Sequence, residues 1–328
     1  MEAPLFSILV SAYNREDTIE RCLRSCLAQT LQDFEIVVVD DGSQDGTGSV
    51  VQALQDPRIR LIRHDRNRGL EPTRATAVEH ASGAWCVILD SDDELLPHAL
   101  SRLQELIGEL PAGVDIIRSR YQADDGHLAP SIIPDGITDY HGRLVWLETV
   151  SGGKAISTDA AHCMRTSMLK QHNYSSEIRG SQELWEMDLA RITRSLWVPE
   201  VLALIHLDAA NSMDRELNFR RLLSRNLGEA GDAYRMGERI VSVHGSELSR
   251  YAPTYHAWLL ESLATKAFLA GERRAGVDNT RLAIRAGAPR LKMLATLVIG
   301  MTGPYALAVS KAAGRQLRRH WVSLTGRL

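Results

Sequence analysis

Four short apolar runs, "FSILVSAY" (6–13), "FEIVVVDD" (34–41), "IRLIRH" (59–64) and "AWCVILD" (84–90), alternate with segments of a different period. "EDTIERCLRSCLAQT" (16–30) spaces Ile19, Cys22, Leu23, Cys26 and Leu27 at the i, i+3, i+4 intervals of an amphipathic helix. "GSQDGTGSVVQAL" (42–54) turns into a second helix, and "EPTRATAVEHAS" (71–82) is a third, with Pro72 near its start and Gly83 ending it. Runs that are apolar at nearly every position read as strands buried on both faces. Strand–helix–strand alternation implies right-handed crossovers and a mainly parallel sheet covered on both sides. The fold class is therefore α/β, with a Rossmann-like sheet.

Past residue 114 the pattern loosens. "VDIIRSRY" (114–121) is a strand, and the polar stretch holding Gly126, Pro130, Pro134 and Gly136 reads as a long loop. "DAAHCMRTSMLKQ" (159–171) is a strand passing into a short helix, "QELWEMDLARITRS" (182–195) a helix, and "WVPEVLALIHL" (197–207) a strand after Pro199. Beyond Asp214 the chain is helical and rich in Ala, Leu and Arg. We expect a half over 1–110, a second over 111–212 and a helical region over 213–328. The 328 residues suffice for more than one packing unit. Cys22, Cys26, Cys86 and Cys163 form no CxxC pair, so reduced thiols and a cytoplasmic setting are expected. No signal peptide and no spanning helix are expected either.

In open parallel sheets, ligands lie at the carboxyl ends of the strands. Four runs here end in polar clusters: "SAYN" (11–14), "DDGSQDGT" (40–47), "HDRNRG" (64–69) and "DSDD" (90–93). Any one could be an ordinary turn, but four on one edge suggest a polar ligand. "DDGSQDGTGS" is neither G-x-G-x-x-G nor G-x-x-x-x-G-K-[ST], so the usual dinucleotide and P-loop fingerprints are missing. In "VILDSDDELL" (87–96), Asp90, Asp92, Asp93 and Glu94 repel one another unless a cation or solvent intervenes.

"SILVSAYNRE", "VVVDDGSQDGT", "NRGLEPTRATA" and "WCVILDSDDEL", in this order and spacing, resemble the nucleotide-binding half of family-2 glycosyltransferases of the GT-A fold. The likeness is strong over 5–100, weaker to 212, and lacks motifs beyond. It implies an enzyme that moves a sugar, with inversion, from a nucleotide-diphosphate sugar to a saccharide or lipid-linked acceptor. A UDP-sugar is the favoured donor. By the same resemblance Ala12, Tyr13 and Asn14 would line the base pocket, Asp41 would bind the base, and Asn67, Gly69, Arg74 and Ser91 would lie at the nucleotide. Asp92 of the D-x-D signature would ligate the metal, with Asp90 near the ribose or just behind the metal. Mn²⁺ or Mg²⁺ is the implied cofactor, since a hard cation can neutralise a diphosphate leaving group. His206 is a further metal candidate or a structural histidine.

Inverting transfer needs a general base on the acceptor hydroxyl. The resemblance places it in "RGSQELWEMDLAR" (179–191), where Glu183 is the first choice and Glu186 and Asp188 are alternatives. A solvated helix face is the plain alternative for this segment. Trp185 reads as core or as a stacking platform. The Q-x-x-R-W motif of processive relatives is missing. Two rivals remain: a sugar-nucleotide pyrophosphorylase, which would want a glycine-rich loop after the first strand, and a non-catalytic relative that only binds.

The net charge of −3 hides an asymmetry. The last fifty residues carry nine Lys or Arg and no acid, leaving −12 for residues 1–278. The basic, apolar tail over 291–321 suits peripheral contact with a membrane, a cap on the enzyme, or a homodimer through the C-terminal helices. Nucleic acid is not an expected partner.

Overall fold

Period-two side-chain alternation in β1 (Phe6–Ala12) sends Phe6, Ile8 and Val10 into one apolar cluster and Leu9 into another. β2 (Phe34–Asp40) splits likewise, Ile36 and Val38 from Val37 and Val39, as does β4 (Trp85–Asp90), Val87 and Leu89 from Cys86 and Ile88. Both faces of the sheet are thus covered, which is why these strands are apolar almost throughout. The computed structural model describes residues 3–151, 161–174, 182–206 and 230–311. The approach to the expected base segment (179–181), the residues after His206 and the tail beyond 311 lie outside these.

The first cluster takes Ile19, Cys22, Leu23 and Cys26 from α1 (Ile19–Leu27), and Leu100 and Leu103 from α4 (Ala99–Gly108). The second takes Ala75, Ala77 and Val78 from α3 (Leu70–His80), Leu169 from α6 (Thr166–Gln171), and Trp185 and Leu189 from α7 (Gln182–Ile192). Two further helices belong to this part of the chain, α2 (Thr47–Ala53) and α5 (Tyr140–Ser151).

The ten-stranded sheet has the order β3 (Ile59–Arg63), β2, β1, β4, β9 (Ala161–Arg165), β6 (Val114–Ala123), β10 (Arg194–Ile205), β5 (Glu94–Leu95). β7 (Leu128–Ala129) adds to β6, and β8 (Ile137–Thr138) to β10. β1 pairs in parallel with both β2 and β4, and β10 in parallel with β6. β9 is antiparallel to both its neighbours. Strand order reverses at β1, since β2 and β3 lie to one side of it and β4 to the other. A doubly wound sheet opens its ligand crevice at such a switch point.

Three local differences from the sequence reading have physical causes. The stretch read as a loop after residue 121 carries β7 and β8, whose two-residue lengths are too short for periodicity to reveal. α5 is almost evenly apolar and polar around its circumference, so it gives no clean stripe. β10 begins at Arg194, ahead of Pro199, and Pro199 lies where the ladder with β6 slips between Trp197 and Val201, so its missing N–H interrupts no regular pairing.

The chain divides into two compact units, one of residues 1–146 and 154–213, the other of 147–153 and 214–328. In the second, α8 (Ala230–Tyr251), α9 (Pro253–Leu269), α10 (Arg273–Arg285) and α11 (Arg290–Thr302) pack around Leu260, Leu263, Ala264, Ala267 and Phe268. Among the described residues no helix is long and apolar enough to cross a membrane.

Candidate active site at the switch point

β1 ends between two aspartates, because its register sets Ala12 opposite Asp40 and Ser11 opposite Asp90. The chain then turns at Asn14, whose φ of 52° is left-handed, a conformation asparagine tolerates better than most residues. Its N–H donates to Ser43 Oγ at 2.9 Å, and its Oδ1 accepts from the Gln44 N–H at 2.9 Å, tying the β1 and β2 loops together. Gly42 (φ 72°) passes so close to the next loop that a Cβ would lie 2.6 Å from the Arg66 carbonyl carbon. Of the other expected pocket residues, Ala12 and Ser91 are buried, Tyr13 is 40% exposed, and Asn67 is exposed.

Asp41 is buried and holds the 64–69 loop. Its Oδ1 accepts from the Arg68 N–H at 2.9 Å, and its Oδ2 from Arg68 at 3.0 Å and Gly69 at 2.8 Å. His64 Nδ1 lies 2.7 Å from Oδ1, and its Nε2 3.0 Å from Thr76 Oγ1. Three donors, one shared by both oxygens, make four contacts, so the carboxylate is largely used in holding this loop. His64 was not singled out in the sequence, although "HDRNRG" carried it.

At the end of β4, Asp90 is half exposed and accepts from Arg74 Nη2 at 3.0 Å. Arg74 Nη1 donates to Gln182 Oε1, also at 3.0 Å. One guanidinium therefore joins the strand-end carboxylate to the first residue of α7, which brings Glu183 to this edge. Burial alone would lower the Arg74 pKa, but Asp90 and Tyr174 raise it, so it stays a fixed cation.

Asp92 lies 3.6 Å from Arg15 Nη2. Burial raises its pKa, Arg15 opposes this, and Asp90 adds to it. Asp93 is pushed up to about 8 by burial and by its neighbours Asp90 and Asp92. Negative charge is thus in excess here. Among the described residues no three His, Cys, Asp or Glu side chains converge as a ready metal cage. A single carboxylate with diphosphate oxygens is still a suitable set for a hard cation, and the crowded carboxylates fit one. The buried Nε atoms of Arg15 and Arg74 have no hydrogen-bond partner, as is true of Arg21, Arg120 and Arg143. His206 engages Glu94 instead, Nε2 to Oε1 at 2.6 Å, and its N–H reaches Asp93 Oδ1 at 3.3 Å.

The three candidate bases differ in setting. Glu183 is half-buried in the first turn of α7, and Asp188 is exposed. Glu186 is buried, and its Oε2 meets Arg143 Nη2 at 2.5 Å and Arg118 Nη1 at 3.2 Å. Burial alone would raise its pKa, but Arg118, Arg143 and His162 outweigh that and hold it well below the carboxylate range. Arg118 Nη1 also lies 2.7 Å from His162 Nε2, so that nitrogen accepts and the ring is neutral. Burial, with Arg118 beside it, holds His162 down to about 3. The sequence held one sign of this network: Arg118 interrupts the apolar "VDIIRSRY" in a strand that is otherwise core. Arg143 and His162 carried none. Trp185 is core, stacked on Tyr174 at 4.0 Å and donating to the His172 carbonyl at 2.7 Å.

Residues 7–164 match the family described as "Glycosyl transferase family 2". The succinoglycan biosynthesis protein ExoO of Rhizobium meliloti is 46% identical over 104 residues, 32% of this chain and 30% of that protein. The GalNAc(5)-diNAcBac-PP-undecaprenol beta-1,3-glucosyltransferase of Campylobacter jejuni is 38% identical over 109 residues, 32% of this chain and 35% of that protein. The matched stretch spans about a third of the length of each. Among solved structures, S. aureus TarS 1–349 in complex with UDP-GlcNAc superposes with a TM-score of 0.56 at 18% identity, covering 88% of this chain and 93% of that one. The fold is GT-A, followed by a helical C-terminal region, and the match to glycosyl transferase family 2 covers residues 7–164, just under half of the chain.

Proposed function

We propose that the protein transfers a sugar from a nucleotide-diphosphate sugar, a UDP-sugar by preference, to a hydroxyl of a saccharide or lipid-linked acceptor, with inversion. The observation that carries this reading is the convergence of Asn14, Asp41, Asp90 and Asp92 with Arg15 and Arg74 at the switch point. Residues 1–110 supply the donor side, 111–212 the acceptor side, and 213–328 the helical addition. A lipid-linked acceptor is in keeping with the undecaprenol named for the C. jejuni relative. Four free, buried cysteines suit a cytoplasmic setting.

In this reading the base sits against Ala12, Tyr13 and Asn14, with Asp41 and the loop of Asn67 and Gly69 that it holds. Asp92 ligates Mn²⁺ or Mg²⁺, which supplies neutralisation of the charge that grows on the leaving diphosphate. Arg15 and Arg74 add fixed positive charge, and Arg74 keeps Asp90 oriented near the ribose with Ser91 behind it. Glu183 takes the proton from the acceptor hydroxyl as that oxygen attacks the anomeric carbon from the face opposite the diphosphate. Glu186 is poorly suited to that task, because two arginines already claim its charge, and His206 serves Glu94 rather than the metal.

The test is thermal stability with UDP, GDP, dTDP and CMP, each with and without Mn²⁺, for the wild type and Asp92→Ala. A ligand that binds only the folded state raises the melting temperature by mass action. One diphosphate should stabilise the protein in a manner requiring both Mn²⁺ and Asp92. A cooperatively melting protein that no nucleotide shifts would sink the proposal.

A further inference from the structure

α11 is apolar on two opposite faces, and among the described residues only one of them packs within the helical unit. Inward, Met293 joins Leu260, Ala264, Ala283 and Ala288, and Gly300 lies on the Phe268 ring so closely that a Cβ would be 2.5 Å from it. Outward, Leu291 (85% exposed), Leu294 (49%), Val298 (66%) and Met301 (47%) follow one another at three- and four-residue steps, which puts them on one stripe. Tyr305, 64% exposed, follows the break at Gly303 and Pro304. A contiguous apolar stripe in water marks an interaction surface more often than chance exposure does.

The charge around the stripe limits what can cover it. Arg290, exposed, precedes Leu291 in the first turn, while Lys292 on its other side is paired with Glu261. From residue 279 to 328 the sequence has nine Lys or Arg and no Asp or Glu. A second copy of the same stretch would set net positive charge against net positive charge. The partner must combine an apolar interior with a negative surface. At 13 residues α11 is about 20 Å long, short of what a bilayer crossing needs. A helix of that length, apolar on one side and set in a basic stretch of chain, suits lying in the plane of an interface, where a tyrosine ring is also at home.

We infer that the outer face of α11, with the basic stretch it belongs to, docks the protein on an anionic lipid bilayer. Leu291, Leu294, Val298 and Met301 enter the acyl boundary while Arg290 meets lipid phosphates. Docking is read without donor or acceptor, so it stands or falls apart from the proposed sugar transfer.

The experiment is co-sedimentation of the full chain with vesicles of phosphatidylcholine alone and of phosphatidylcholine mixed with phosphatidylglycerol, at low and high salt. The variant is Leu291→Glu with Val298→Glu. Both positions face solvent, so its melting temperature should match the wild type. Leu291→Ser with Val298→Ser repeats the test should the charged pair fail to fold. Wild type should bind the mixed vesicles, release in high salt, and bind neutral ones at least roughly tenfold more weakly. The variant should lose about a hundredfold or more in affinity, the equivalent of two large side chains no longer buried. Equal binding by variant and wild type, or no preference for anionic vesicles, would overturn the inference. So would a wild-type dimer in sedimentation velocity that the variant renders monomeric.

Discussion

Replacing Glu186 by Gln separates a structural carboxylate from a catalytic one, and the size of the effect can be worked from its surroundings. The Glu186→Gln side chain keeps nearly the same volume and its hydrogen-bonding reach to Gln182, but it no longer neutralises Arg118, whose side chain is 1% exposed, or Arg143, at 10%. Removing one partner of a buried pair costs about 3–5 kcal/mol, because the charge left behind is uncompensated. At roughly 2–4 °C per kcal/mol for a unit of this size, the melting temperature should fall by about 6–20 °C. Arg143→Gln alone should cost less, since Glu186 keeps Arg118, and the double variant should recover part of the loss. A coupling of about 1–3 kcal/mol in that cycle is expected. The assay is thermal and urea unfolding of the four proteins. A Glu186→Gln protein that melts within a degree or two of wild type would refute the argument that this carboxylate holds the two arginines in place.

The companion substitution, Glu183→Gln, should leave melting and UDP binding unchanged while lowering turnover by about 10²–10⁴, the usual contribution of a general base. Unimpaired transfer by that variant would remove Glu183 from the mechanism. Acid acts on the fold through groups of opposite sign. Asp93, pushed up to about 8, holds its proton more readily folded than unfolded, so it favours the fold as pH drops. His162 binds a proton near its ordinary 6.5 when unfolded but only at about 3 when folded, so between those values its own contribution to stability falls as pH drops. Glu186, held low, extends the same loss below pH 4.5. Urea midpoints of wild type and His162→Gln, measured from pH 7 to pH 4, isolate the histidine's share: the variant should gain on wild type as pH drops. Gly42→Ala should cost at least ~2 kcal/mol, from a left-handed φ and a collision with the Arg66 backbone, and should weaken nucleotide binding in the same titration.

By itself the sequence determined the parts of this protein that depend on local pattern. Uniformly apolar runs could only be strands covered on both faces, and the polar clusters that end them had to fall on one edge once the sheet was parallel. Asp41, Asp90 and Asp92 were legible for that reason, as residues at known strand ends. What each carboxylate does there depended on neighbours distant in the chain. Asp41 faces amides 27 and 28 residues away, and Arg74 reaches Gln182 across 108 residues. Spacing along the chain cannot encode such meetings, because they follow from where crossovers deliver whole helices. The same holds for Glu186, which in sequence is one acid on a polar helix face and in the fold is buried against two arginines and a neutral histidine. In α11 an apolar helix with basic residues was legible from the pattern alone. Only its packing on Phe268 decided which face is spent on the core and which is left to water.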